Sequence, residues 1–157
     1  MKKLVLFIGI IAMAGMMAFG QSETKVPAKV KAAFSQKFPN ATKVKWEKEN
    51  EKEWEAEFKM DGKEYSANFD NSGAWMETEY EISADDLPGT VKACLEKQFE
   101  GYKVEEAEVA ESPEGTVYEM EIEKGKSEME VSISATGKVL EKEQAKEEEG
   151  GDEEDED

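Results

Sequence analysis

The chain of 157 residues carries 38 acidic residues against 20 basic ones, for a formal net charge of −18, and it contains no histidine. A charge of that sign excludes nucleic acid as a partner, because phosphate would be repelled rather than neutralised. Every basic residue is lysine, so histidine-based triads, zincin-type metal sites and arginine clamps on phosphate or carboxylate are excluded as well.

Lys2 and Lys3 precede an apolar run from Leu4 to Phe19, and Ala18-Phe19-Gly20 puts small residues at the −3 and −1 positions of a cleavage site. The pattern predicts a signal peptide over residues 1–20, cut before Gln21, and so a periplasmic or secreted product whose charge becomes −20 when Lys2 and Lys3 leave. The apolar run is about 16 residues long, short of the ~20 that span a bilayer, so no stable membrane anchor is expected after cleavage. No cysteine lies near the cut, which closes the lipoprotein route. Cys94 is the only cysteine, so no internal disulfide staples the domain.

The next segment is written twice. Val26-Pro27-Ala28-Lys29-Val30-Lys31-Ala32-Ala33-Phe34 with Phe38 aligns with Leu87-Pro88-Gly89-Thr90-Val91-Lys92-Ala93-Cys94-Leu95 with Phe99. A proline stands in the first helical turn of each copy, and Val30, Ala33, Phe34 and Phe38 match Val91, Cys94, Leu95 and Phe99 at the spacing of one helical face. Ser83, Asp85 and Asp86 are positioned to cap the second helix. Cys94, matched by Ala33, is expected in the core rather than as a reactive thiol.

After each helix the apolar period falls to two. Val44 and Trp46 open the first set of strands, Trp54, Ala56, Phe58 and Met60 alternate with glutamates, and Asp61-Gly62 marks a hairpin turn. Tyr65, Ala67 and Phe69 follow, then the turn Asp70-Asn71-Ser72-Gly73, then Met76, Thr78, Tyr80 and Ile82. The second set runs through Val104 to Val109, with a break of parity that predicts a bulge, then Tyr118, Met120 and Ile122, then Met129, Val131 and Ile133, then Val139. The expected fold is α+β: two tandem helix-plus-four-strand repeats, residues 21–82 and 83–142, forming one antiparallel sheet with the helices packed on one face. Residues 143–157 include ten acidic residues, and from Glu147 onward no apolar side chain offsets chain entropy, so this stretch is expected to be a disordered tail.

The polar side of the strands is the candidate working surface. Glu55, Glu57, Glu64, Asn68, Glu77, Glu79, Glu119, Glu121, Glu128 and Glu130 would share it, tempered by Lys45, Lys59, Lys63 and Lys138. Trp75, out of phase with Met76, Thr78 and Tyr80, would emerge there as an interface anchor; the alternative is that it caps the core at a turn, as Val139 would. Paired carboxylates can hydrolyse glycosides, but here they fall at alternate strand positions, the pattern of a solvated sheet side, so no catalytic residue is assigned. The Asp70 turn lacks the glutamate and spacing of a calcium loop, and no cofactor or metal site is assigned.

The paired Val26-Pro27 and Leu87-Pro88, the run Phe38-Pro39-Asn40-Ala41 with Trp46, the run Phe69 to Trp75 with Glu77-Thr78-Glu79, and Gly101-Tyr102 together carry a family likeness over about residues 25–142. The chain resembles the exported PepSY-like proteins of Bacteroides-type bacteria, which are compared with the β-lactamase-inhibitor-protein fold. The resemblance implies a periplasmic or secreted domain with a curved sheet open to protein contact and no catalytic residues to transfer; the acidic tail lies outside it. A fold does not fix a function, so inhibition of β-lactamase is not implied. The reading is a non-enzymatic module that contacts a protein or peptide in the envelope. The alternatives are an inhibitor of a secreted hydrolase and, more weakly, a low-affinity calcium binder.

Overall fold

The computed structural model describes residues 25–144, so the expected signal peptide and all but the first two residues of the expected tail lie outside the described residues. Helix α1 (Ala28–Lys37) leads into strands β1 (Thr42–Glu47), β2 (Glu53–Met60), β3 (Lys63–Asp70) and β4 (Trp75–Glu81). A single 3-10 turn (Ala84–Asp86) then precedes helix α2 (Gly89–Gln98) and strands β5 (Lys103–Ser112), β6 (Gly115–Lys124), β7 (Ser127–Ser134) and β8 (Val139–Gln144). The strands form one eight-stranded sheet in chain order, and every neighbouring pair is antiparallel. The fold is α+β.

Both helices start immediately after their prolines rather than around them, with the Pro27 and Pro88 carbonyls accepting from Lys31 and Lys92 at 3.2 and 3.0 Å. A proline forces the residue before it into extended backbone, so α2 cannot reach back through Leu87 to Ser83. Ser83 therefore caps the separate 3-10 turn, its hydroxyl accepting from the Asp85 N–H, and the expected capping of α2 is corrected. Both helices also end alike. Phe38 donates to the Phe34 carbonyl and Phe99 to that of Leu95, each at 2.8 Å.

Two apolar clusters follow from the helical stripes. Val30, Phe34 and Phe38 of the first helical segment pack with Trp54, Ala56, Phe58, Ala67 and Phe69, and Phe34 sets its ring edge-on to Trp46, Phe58 and Phe69. Val91, Cys94 and Phe99 pack with Leu87, Ala107, Met120, Ile122, Val131 and Ile133. Cys94 is a buried free thiol, as its place on the apolar stripe requires. Tyr80 pairs with Val109 across the central β4–β5 ladder, and Tyr65 lies 5.1 Å from Tyr80, so aromatic contact bridges the space between the clusters.

One turn presses against each helix. A β-carbon on Gly73 would stand 2.8 Å from the Lys29 carbonyl oxygen, and one on Gly137 would stand 2.7 Å from that of Thr90. Both glycines have positive φ, 88° and 81°, so neither the space nor the backbone admits a side chain.

Bulges depart from strict alternation. The one expected after Val104 is present, between Val104 and Glu106. Another, between Thr42 and Lys45 with Lys43 at φ 56°, leaves Val44 exposed at the edge of the sheet instead of beside the core. A third, on β4, leaves Met76 38 % exposed rather than in the apolar series. β8 extends to Gln144, two residues past the expected end of the second repeat. Among the described residues, no helix is long and apolar enough to cross a membrane.

Candidate functional site

Successive strand residues point to opposite sides, so the residues alternating with the two cores form a second surface. The register fixes its rows. Lys45, Glu57, Ser66, Glu79 and Ala110 lie in line across β1 to β5, and Glu55 faces Asn68, which faces Glu77. Further along, Glu81, Glu108, Glu119, Ser132 and Glu141 form a row from β4 to β8, and Glu106, Glu121, Glu130 and Glu143 form the next from β5 to β8. Glu64 opposes Lys59 and Glu128 opposes Glu123 at the margins. Ten of the eleven residues singled out in the sequence are thus placed on one surface by the ladder.

Trp75 is the exception. The bulge that leaves Met76 unpaired sets Trp75 opposite Phe69, which turns the indole to the core side. There it packs against the first cluster, donates from Nε1 to Thr78 Oγ1 at 2.8 Å and receives the Lys37 ammonium 3.5 Å from its ring centroid. Val139 follows the same rule, facing Ile133 across a bulge and packing against the second cluster. Lys63 also leaves the proposed surface, since it pairs with Met60 on the core side, and Lys138 lies in the turn before β8.

Like charges directly opposed across a ladder repel, and little here relieves them. Among the described residues the ion pairs are Lys45–Glu57 at 3.8 Å and Lys59–Glu64 at 2.5 Å, both at the β1–β3 end. Lys59 holds the Glu64 carboxyl below its ordinary range. Toward the middle the carboxyls move the other way. Burial, followed by repulsion from Glu77, Glu119, Glu108 and Glu55, pushes Glu79 up to about 8. Burial, followed by Glu77, Glu108, Glu141 and Glu130, pushes Glu119 up to about 7. Glu55, Glu77, Glu108 and Glu121 are raised too, each chiefly by burial.

Sequence reading missed further members of this surface: Ser66, Glu81, Glu106, Glu108, Ser132, Glu141 and Glu143. The broken parity of β5 left Glu108 without an assignable side, and a serine between Val131 and Ile133 carries no signal beyond alternation. Ser132 is only 1 % exposed and Glu119 only 5 % exposed, and Ser132 Oγ and Glu119 Oε1 both lack a hydrogen-bond partner among the described residues. Ser66, by contrast, donates to Glu79 at 3.4 Å. Among the described residues, no group of three or more acidic, cysteine or histidine side chains is arranged to hold a metal. The Asp70 carboxylate is occupied by its own turn, with Oδ1 accepting from the Ser72 and Ala74 N–H groups at 2.8 Å and from the Ser72 hydroxyl at 2.6 Å. What this surface presents to a ligand is a group of partly buried carboxyls that burial and mutual repulsion make reluctant to ionise.

Comparison with solved structures places the architecture. A DUF2874 family protein from Bacteroides uniformis superimposes with a TM-score of 0.69 at 21 % identity, over 76 % of this chain and 90 % of its own. A BLIP-like protein from Bacteroides fragilis gives 0.67 at 25 % identity, over 76 % and 86 %. A DUF2874 family protein from Bacteroides ovatus gives 0.68 at 20 % identity, over 76 % and 88 %. Comparison with curated proteins gives no match. The family model described as beta-lactamase-inhibitor-like, PepSY-like matches residues 18–64 and 52–141, most of the sequence, and the chain belongs to this PepSY-like family.

Proposed function

We propose that this protein is an exported, non-enzymatic binding module that uses the carboxylate side of its sheet to hold a protein or peptide partner in the cell envelope. The observation that carries the reading is the group of buried, raised carboxylates centred on Glu79 and Glu119, which no lysine neutralises among the described residues. Such a group is unfavourable in the isolated chain and becomes favourable when a basic surface covers it.

In this reading the scaffold is one helix-plus-four-strand unit used twice, with both helices on one face so that the other stays open. The matched helix ends at Phe38 and Phe99 and the matched glycine contacts at Gly73 and Gly137 support the duplication. The ladder Tyr80–Val109–Tyr118–Ile133 supports a common face, since directly paired residues point the same way. The apolar leader with its small-residue exit supports export.

The test is capture from envelope extract by immobilised wild type and by a variant carrying Glu55→Gln, Glu77→Gln and Glu79→Gln. A partner held by the wild type and lost by the variant is expected; equal recovery by both would overturn the reading. The family description favours a second reading, inhibition of a secreted hydrolase. Assays of purified protases and β-lactamases with excess protein decide it, and uninhibited rates across the panel would retire it.

A further inference from the structure

We infer that Glu119 and Ser132 form the receptor for a single lysine or arginine side chain projecting from the partner, an inference that rests on the binding reading above and gives that partner its chemistry. Glu119 on β6 and Ser132 on β7 are directly opposed in the ladder, and both side chains are more than nine-tenths buried. A buried polar atom without a partner forgoes the hydrogen bond that would offset its desolvation, so a folded chain keeps few of them. Two stand on adjacent strands: Glu119 Oε1 and Ser132 Oγ are buried, and no described residue gives either a hydrogen bond.

The surroundings select the ligand. Glu108 lies opposite Glu119 on one side and Glu141 lies opposite Ser132 on the other, so the row reads carboxylate, carboxylate, hydroxyl, carboxylate. Every group in it accepts hydrogen bonds, and three carry negative charge when ionised. An anion or a neutral acceptor is refused. A bare divalent ion needs several oxygens converging on one point, which the described carboxylates do not provide. An ammonium or guanidinium brings several N–H donors in different directions and can bond acceptors spread over adjacent strands. Its aliphatic stem suits the neighbouring small, apolar row, where Ala110 pairs with Val117. The described lysines of this chain that pair with glutamate lie near β1 to β3 and do not fill the position.

The test is an NMR titration of the folded protein, in low salt at mildly alkaline pH, with the blocked pentapeptides Gly-Gly-Arg-Gly-Gly, Gly-Gly-Lys-Gly-Gly and Gly-Gly-Gln-Gly-Gly. The arginine or the lysine peptide is expected to move the Glu119 and Ser132 amide signals, and the glutamine peptide to leave them still. Glu119→Gln removes one charge and is expected to weaken binding by about tenfold, the scale of one charged hydrogen bond. Glu96→Gln removes the same charge from an exposed position on helix α2, away from this surface, and is expected to change it by less than about twofold. Ser132→Ala, which keeps the small volume, is a second variant with an expected several-fold loss. Equal weakening by the Glu119 and Glu96 variants would overturn the inference, because binding would then follow total charge alone. So would basic peptides that leave Glu119 and Ser132 unmoved. Neither outcome touches the capture experiment, which uses other residues.

Discussion

The backbone of Gly73 runs beneath the Lys29 carbonyl so closely that a methyl group there would stand 2.8 Å from the oxygen. The β3–β4 turn is thereby locked to the first turn of α1, and the same lock recurs between Gly137 and Thr90, reinforced by a Thr90 hydroxyl bond to the Ala135 carbonyl at 2.7 Å. Gly73→Ala must resolve both the overlap and the positive φ, and a loss of roughly 2 kcal/mol or more is expected in denaturant unfolding. Gly62→Ala serves as the comparison: it also has positive φ but faces open space, so it is expected to lose less. Equal losses would show that the contact with the helix adds nothing.

The raised carboxyls predict how stability depends on pH. Glu79 and Glu119 bind protons more tightly in the folded chain than in the unfolded one, where the ordinary value is near 4.5. Their contribution is fully present below that ordinary value and is lost as pH rises through about 7 for Glu119 and about 8 for Glu79. The melting temperature is expected to fall between pH values of about 5 and 9, and Glu79→Gln should flatten the descent. Glu64 and Asp70 act in the opposite sense, since their depressed carboxyls lose their contribution as acid protonates them. A melting temperature that rises across the neutral range would contradict the burial of Glu79.

Trp75 separates the two sides of the sheet. Its indole is wedged between Lys37 and the first cluster, so Trp75→Ala is expected to cost about 1–3 kcal/mol of stability while leaving partner capture intact at a temperature where the variant is folded. If the variant kept full stability and lost the partner, the tryptophan would belong to the binding surface after all.

Binding of a basic side chain at Glu119 must compete with protons. The groups that raise Glu119, namely Glu77 on β4, Glu108 on β5, Glu130 on β7 and Glu141 on β8, are all acidic, and a bound cation opposes each of them. Affinity for the arginine or lysine peptide is therefore expected to rise with pH through about 7 and level off above it, with protons released on binding in calorimetry across buffers of different ionisation heat. An affinity that is flat across that range would mean that the bound cation does not sense the Glu119 proton.

The elements and their order were legible because period changes in this chain are sharp. Trp54, Ala56 and Phe58 alternate with glutamate without a fault, and Val30, Phe34 and Phe38 keep one helical stripe, so strand and helix could be told apart from spacing alone. Ten surface residues followed from the same alternation. What spacing could not reveal was where alternation is interrupted. The bulge at β4 inverts Trp75 and exposes Met76, and the one at β1 exposes Val44. A bulge is a property of two strands in register, and neither strand announces it by itself. The unpartnered atoms of Glu119 and Ser132 were invisible for the same reason, since being unsatisfied depends on what lies across the ladder.

An open sheet has two rims, and here they belong to β1 and β8. Each offers a row of free backbone donors and acceptors to any extended segment that drifts past, including another copy of the same molecule. The kink at Lys43 and the offset beside Ile133 spoil the straightness such docking needs, and Lys43, Lys45, Glu141, Lys142 and Glu143 stud the rims with charge. The irregularities that confuse a reading of the sequence thus guard a crowded solution of this protein against zipping into fibres.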